Sequence, residues 1–183
     1  DGFQDFSINK NLSIICFNER QWIGNGFVIP SGPLREQLSA IKRASCVVLN
    51  GEKNIDIEKI ILNISSTVKI FYTKYKIQNI DEFKNKKVTA FAGIGNPENF
   101  FTLLKDNNIN VVKEIKFPDH YNYTKNELEN IITETKKNSE ILVTTEKDFM
   151  RIDEDYKKDI NYLKISVDIK NRDKFIEEIK KII

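Results

Sequence analysis

From Lys87 onward, short apolar runs alternate with stretches whose apolar residues recur at helical spacing, and few architectures accept that order. Lys87 to Phe91, Val111 to Phe117, Ile141 to Thr144 and Tyr162 to Val167 read as strands. Asn96-Pro97 opens a helix with Phe100, Phe101 and Leu104 on one face. Thr124-Lys125-Asn126-Glu127 opens a second, carrying Leu128, Ile131 and Ile132. The Thr and Glu there are spaced as a capping box, each side chain satisfying the other residue's exposed backbone N–H. A final amphipathic helix is expected over Asp173 to Ile183. Strands separated by helices of this length form βαβ units, which predicts an α/β fold with a mostly parallel sheet covered on both faces.

The first part of the chain is less regular. Leu12 to Phe17, Cys46 to Leu49 and Thr67 to Tyr75 read as strands, and Ile57 to Leu62 as a short helix. Between the first two strands, Arg20 to Pro33 holds three of the seven glycines and two of the four prolines, the punctuation of a loop. Pro33 to Arg43 is expected to be helical, because Pro suits a first turn and Leu34, Leu38 and Ile41 share one face. Asn50-Gly51 marks a turn. Ile77 to Lys87 is polar and mixed in charge, which places a domain boundary near residue 80, giving domains 1–80 and 81–183.

Composition removes several classes of function. The net charge of +2 is small beside 29 basic and 27 acidic residues, and it lacks the concentrated basic excess of an obligatory nucleic-acid partner. No apolar run approaches the roughly 18 residues that a membrane span needs, so membrane contact through these residues is expected to be peripheral. Cys16 and Cys46 sit in apolar runs without Cys or His at metal-ligand spacing, and they read as buried thiols of a cytosolic protein. The chain opens on Asp1-Gly2-Phe3 and not on Met, which we read as processing or membership of a longer protein.

Four segments carry polar chemistry. Ala92-Gly93-Ile94-Gly95-Asn96-Pro97 joins a strand to a helix, where N–H groups and the positive end of the helix dipole can face a ligand. A dinucleotide fingerprint needs a third glycine where Glu98 stands, so a tight structural turn is the competing reading. Phe117-Pro118-Asp119-His120 ends a strand, at the edge where open α/β sheets bind ligands. His120 is the only histidine, and a surface loop residue without a role remains its alternative. Thr144-Thr145-Glu146-Lys147-Asp148 follows another strand and reads as a solvated turn or a lining of the same edge. Arg35 and Glu36 together offer a guanidinium for phosphate and a carboxylate for magnesium, although Glu36 also suits the first turn of a helix.

Taken in order, Asp1-Gly2-Phe3-Gln4, Gly24-Asn25-Gly26, Pro30 to Glu36, Val47 to Gly51, Ala90 to Pro97, Phe117 to His120 and Thr144 to Asp148 resemble the tetraacyldisaccharide 4'-kinases, over Asp1 to about Ile152. The resemblance implies part of a P-loop-type, mostly parallel sheet over residues 1–80, followed by a smaller, Rossmann-like α/β domain. It implies transfer of the γ-phosphate of ATP to the 4'-hydroxyl of tetraacyldisaccharide 1-phosphate, giving lipid IVA, at the cytoplasmic face of the inner membrane of Gram-negative bacteria. ATP and Mg2+ are the implied cofactors. The lipid A precursor and a missing N-terminal half are the implied partners.

Carried over position by position, Asp1 matches the second Asp of an Asp-Asp-Gly-Phe-Gln-His segment near the metal and phosphates. Glu36 matches a magnesium-contacting carboxylate, Arg35 a phosphate-contacting guanidinium, and His120 a histidine that assists the catalytic aspartate. Asp5 departs from the pattern, standing where the family usually has His. No Gly-x-x-x-x-Gly-Lys-Ser/Thr loop occurs anywhere in the chain, so the chain alone is expected to lack kinase activity. The alternatives are a non-catalytic remnant, one half of a split kinase, or an unrelated Rossmann-like enzyme resting on the Gly93–Gly95 turn.

Overall fold

The computed structural model describes residues 2–182, and it divides them into two compact units. One unit runs up to Tyr75 and takes the chain back from Val167 onward; the other is Lys76–Ser166. The chain therefore passes between units twice, whereas the sequence boundary near residue 80 makes a single passage.

In the first unit a short 3-10 turn, Gly2–Gln4, precedes strand β1 (Ile14–Asn18), which pairs in parallel with β2 (Cys46–Asn50) from Ile14↔Cys46 to Asn18↔Asn50. Helix α1 (Ile55–Ile64) follows, and then β3 (Lys69–Ile77), parallel to β2 on its other side. Asn54 caps α1 by accepting the N–H groups of Asp56 and Ile57. Apolar residues at helical spacing on α1, Ile57 and Ile61, meet Val47 and Leu49 of β2, together with Ile41 and Val68, to make the core. Strand β2 is flanked on both sides, so Cys46 is buried as expected. Cys16 is exposed, a correction to the sequence reading: β1 is the edge strand of this sheet, and its Ile14–Cys16 face is left open.

The second unit centres on β4 (Lys87–Ala92). Helix α2 (Pro97–Asp106), β5 (Asn110–Lys116), helix α3 (Lys125–Lys137) and β6 (Ile141–Thr145) follow. Two short helices, α4 (Glu146–Arg151) and α5 (Glu154–Lys157), lead to β7 (Asn161–Leu163). The sheet order is β5-β4-β6-β7, and each of its pairings is parallel. Alternation along β4 explains the three layers. Val88, Ala90 and Ala92 point toward Phe100, Phe101 and Leu104 of α2, whereas Phe91 points the other way, toward Leu128 and Ile132 of α3. The capping box at Thr124 and Glu127 forms as the sequence requires.

The run Tyr162 to Val167, expected as one strand, is two: β7 and then β8 (Ile165–Ile169), in different sheets. Lys164 lies between them because its backbone is engaged elsewhere: its N–H donates to the Asn79 side chain at 2.9 Å, and its carbonyl accepts the Gln78 N–H at 2.8 Å. Strand β8 lies next to β3 in the first sheet. The final helix, α6 (Arg172–Lys180), is shorter than the expected span Asp173 to Ile183, and Ile183 lies outside the described residues.

Candidate functional site

In the first unit the expected helix from Pro33 is absent as far as Gln37. Leu34 is the reason: its N–H donates to the Phe27 carbonyl at 3.1 Å, and its carbonyl accepts the Ile29 N–H at 2.8 Å. A residue bridged on both backbone groups to a neighbouring segment cannot also serve a helix. Helical structure starts only at Leu38, as a 3-10 turn, Leu38–Arg43. This bent stretch brings Arg35 and Glu36 to the lining of a cavity of about 340 Å³, whose wall also includes Gln4, Cys16, Trp22 and Leu38. The helix expected from Pro33 is thus corrected to a bent, non-helical stretch, with Arg35 and Glu36 both lining this cavity.

Glu36 is not free to act alone. Arg43 donates to both of its carboxylate oxygens, at 2.9 and 2.7 Å, and these bonds, with a smaller share from Gln4, hold the Glu36 carboxyl below its ordinary pKa. The Arg43 guanidinium also lies over the rings of Phe3 and Phe6, 4.8 and 5.0 Å from their centroids. Arg43 thus ties the Gly-Phe-Gln turn to the Glu36 carboxylate, a role that no motif in the sequence announces. Asp1, the other expected acidic group of that segment, lies outside the described residues.

No cluster of three or more His, Cys, Asp or Glu side chains suited to a metal occurs among the described residues. Magnesium at a phosphate site characteristically takes only one or two protein carboxylates and fills its shell with phosphate and water oxygens. Glu36 fits that requirement as a single ligand, provided that Arg43 turns to another acceptor.

The second unit gathers His120, the Gly93 turn and the Thr145–Asp148 segment at the C-terminal ends of β4, β5 and β6. The Thr144–Asp148 segment, read as a solvated turn or a lining of the sheet edge, is the end of β6 and the start of helix α4, and Asp148 on that helix has 0 % exposure. Thr145 caps that helix, its hydroxyl accepting the Asp148 N–H at 3.1 Å and donating to the Asp148 carboxylate at 2.8 Å. The spacing Thr145-x-x-Asp148 was a visible sign of such a cap. Asp148 also accepts the Gly93 N–H at 3.0 Å and pairs with Arg151. Arg151 donates in turn to the Gly93 carbonyl at 3.0 Å.

The same Gly93 carbonyl accepts the His120 N–H at 3.1 Å. His120 sits in the left-handed region, φ +58°, an uncommon conformation for a residue with a side chain. Its imidazole is exposed, with Nε2 lying 3.4 Å from the Lys147 amine and 3.9 Å from the Asp119 carboxylate. Lys147 reaches Asp119 as well, at 3.7 Å. Asp119 and His120, adjacent in sequence, therefore share a partner that sequence reasoning did not single out.

The whole chain, residues 1–183, matches the family model described as tetraacyldisaccharide-1-P 4'-kinase. The chain belongs to the tetraacyldisaccharide-1-P 4'-kinase family. A relative from Pelagibacter ubique, named tetraacyldisaccharide 4'-kinase, is 40% identical over 100% of this chain and 59% of its own length. Relatives of the same name from Rickettsia bellii and Rickettsia akari are 38% and 36% identical, over 83% and 99% of this chain. They are matched over 47% and 55% of their own lengths, so the chain spans between about half and three-fifths of these curated relatives. Membership extends to the C-terminal residues beyond Ile152, where the ordered motifs had stopped.

Proposed function

We propose that the protein to which this chain belongs transfers the γ-phosphate of ATP to the 4'-hydroxyl of tetraacyldisaccharide 1-phosphate, a step of lipid A biosynthesis. The observation that carries this reading is the family match over every residue of the chain. Kinase chemistry of this kind is positioning plus electrostatic stabilisation of a loose phosphoryl transition state. The sugar oxygen forms its bond to the γ-phosphorus as the bond to the bridging oxygen breaks, ADP leaves, and the hydroxyl proton passes to a carboxylate base. In that frame Arg35 binds phosphate oxygens, Glu36 holds magnesium, the family resemblance assigns Asp1 to the same site, and His120 orients the carboxylate that takes the proton. Magnesium, when bound, neutralises charge developing on the phosphates.

Two further elements belong to the proposal. The protein works at the cytoplasmic face of the inner membrane as a peripheral enzyme, where its lipid substrate would lie. The chain as given also contains no Gly-x-x-x-x-Gly-Lys-Ser/Thr phosphate loop, so it needs that loop from additional sequence.

The test is a phosphoryl-transfer assay with radiolabelled ATP, Mg2+ and the tetraacyl disaccharide 1-phosphate. This chain alone is expected to give no product. Joined to the part of the Pelagibacter ubique relative that lies outside the matched region, it is expected to give a 1,4'-bisphosphorylated product that carries the label in its 4'-phosphate. Product from the chain alone would overturn the need for the phosphate loop. No product from a folded, ATP-binding joined protein would overturn the kinase reading.

A further inference from the structure

Asp148 is the one charged side chain that is buried among the described residues. A carboxylate kept from water is costly unless it is paired and hydrogen-bonded on every side, and this one is. One of its oxygens accepts the Thr145 hydroxyl and the Gly93 N–H, and the other pairs with Arg151, so its partners are groups of the protein itself.

What it holds is the peptide backbone at Gly93. The carboxylate takes the N–H of Gly93, and its partner Arg151 takes the carbonyl. That carbonyl is also where the His120 N–H is fastened, and His120 follows it into the left-handed region. One turn of α4 carries the other half of the arrangement, because Lys147, next to Asp148, reaches the His120 imidazole. The His120 N–H donates to the Asp119 carboxylate as well, at 3.0 Å, so the buried carboxylate steadies one of its two acceptors, and the helix that bears it also carries the lysine facing the imidazole.

We propose that Asp148 is a positioning residue for His120, fixing the height and direction of the imidazole at the C-terminal edge of the second unit's sheet through Gly93, Arg151 and Lys147. The functional half of this inference rests on the reading of His120 given above; the structural half does not.

The experiment uses Asp148→Asn in the full chain, followed by amide hydrogen exchange and by the NMR signal of the single imidazole. Exchange at Gly93 and His120 is expected to accelerate by about tenfold or more, with a shifted or broadened imidazole signal, while Val88, Ala90 and Val143 keep their protection. Unchanged exchange at Gly93 and His120, or acceleration spread evenly through β4 and β6, would overturn the proposal. Should Asp148→Asn fail to fold, Thr145→Val removes one donor to the carboxylate and is read in the same way.

In the joined protein, Asp148→Asn is expected to lower kcat with KM for ATP unchanged, and to add nothing to the loss caused by His120→Ala. A loss with His120→Ala but none with Asp148→Asn would overturn the positioning. No loss with His120→Ala would overturn the role given to His120 in the reaction, and the exchange data would still decide what Asp148 holds.

Discussion

The Arg43 guanidinium donates to both oxygens of Glu36, at 2.9 and 2.7 Å, and lies over Phe3 and Phe6. A cation that binds Glu36 must therefore displace one already there. Arg43 keeps the Glu36 carboxyl below its ordinary value of 4.5, and a lowered carboxylate pKa stabilises the fold above that value. The contribution is lost as pH falls through the lowered value. Arg43→Gln should move the Glu36 titration back toward 4.5, as followed by NMR of the carboxyl carbon. The acid side of the stability profile should flatten with it, and an unchanged Glu36 titration would refute the pairing in solution.

Tyr72 gives the opposite pH dependence. Its hydroxyl donates to Glu58 at 3.0 Å and accepts the Asn54 N–H at 3.3 Å, and burial first, then Glu58, pushes its pKa up to about 12. A tyrosine raised in the folded state stabilises the fold fully below its unfolded pKa of 10, and the benefit is lost as pH climbs toward about 12. Unfolding midpoints measured between these values should fall with pH. In Tyr72→Phe that fall should be shallower, and at neutral pH the variant should be about 0.5–1.5 kcal/mol less stable from the lost hydrogen bonds.

Much of the second unit was legible because its sequence periodicity and its packing agree. Phe91 and Ala92, neighbours on β4, face opposite helices because strand side chains alternate, and the helices present Leu128 and Leu104 at the spacing needed to meet them. Pro33 to Gln37 was misread for the opposite reason. Its apolar spacing is helical, but the backbone of Leu34 is taken by Phe27 and Ile29, and a bridge to another segment leaves no trace in local pattern. The candidate site was legible to the extent that its residues form motifs. Arg35, Glu36, His120 and the segment holding Lys147 could be named, whereas Arg43 and Arg151 could not, because the contacts that matter, Arg43 with Phe3 and Arg151 with Gly93, join residues far apart in sequence.

Gly32 is held by space and not by backbone angle. A Cβ there would stand 2.2 Å from the Asn25 side-chain oxygen and 2.3 Å from the Phe27 carbonyl oxygen. Asn25 could rotate, but it is itself engaged, donating to the Ser31 carbonyl and accepting the Phe27 N–H, and the Phe27 carbonyl is backbone. Gly32→Ala should cost about 1–3 kcal/mol, the range for forced overpacking. It should also shift the NMR signals of Arg35 and Glu36, since Leu34 hangs on the same Phe27 carbonyl. Denaturant unfolding of the variant with an unchanged midpoint would count against the path drawn for this loop.

Gly93 poses a sharper version of the same problem, because one of its neighbours is removable. An added Cβ would lie 2.8 Å from the Tyr123 hydroxyl, 3.2 Å from the Pro118 carbonyl oxygen and 3.3 Å from the Tyr121 Cβ. The Tyr123 hydroxyl is buried without a well-formed hydrogen bond, and burial, reinforced by the Asp148 carboxylate, drives its pKa far above the ordinary value. Its ring is fixed edge-on to Phe91 and Phe117, 5.4 and 5.0 Å between centroids, so it cannot swing aside. Gly93→Ala should therefore destabilise the second unit by about 1–3 kcal/mol. Tyr123→Phe alone should be nearly neutral, since it deletes a hydroxyl with no good partner. The double variant should recover part of the Gly93→Ala loss, because the closest obstacle is gone while the Pro118 oxygen remains. Thermal unfolding of the four proteins gives the coupling directly, and strict additivity would show that the Tyr123 hydroxyl does not stand over Gly93.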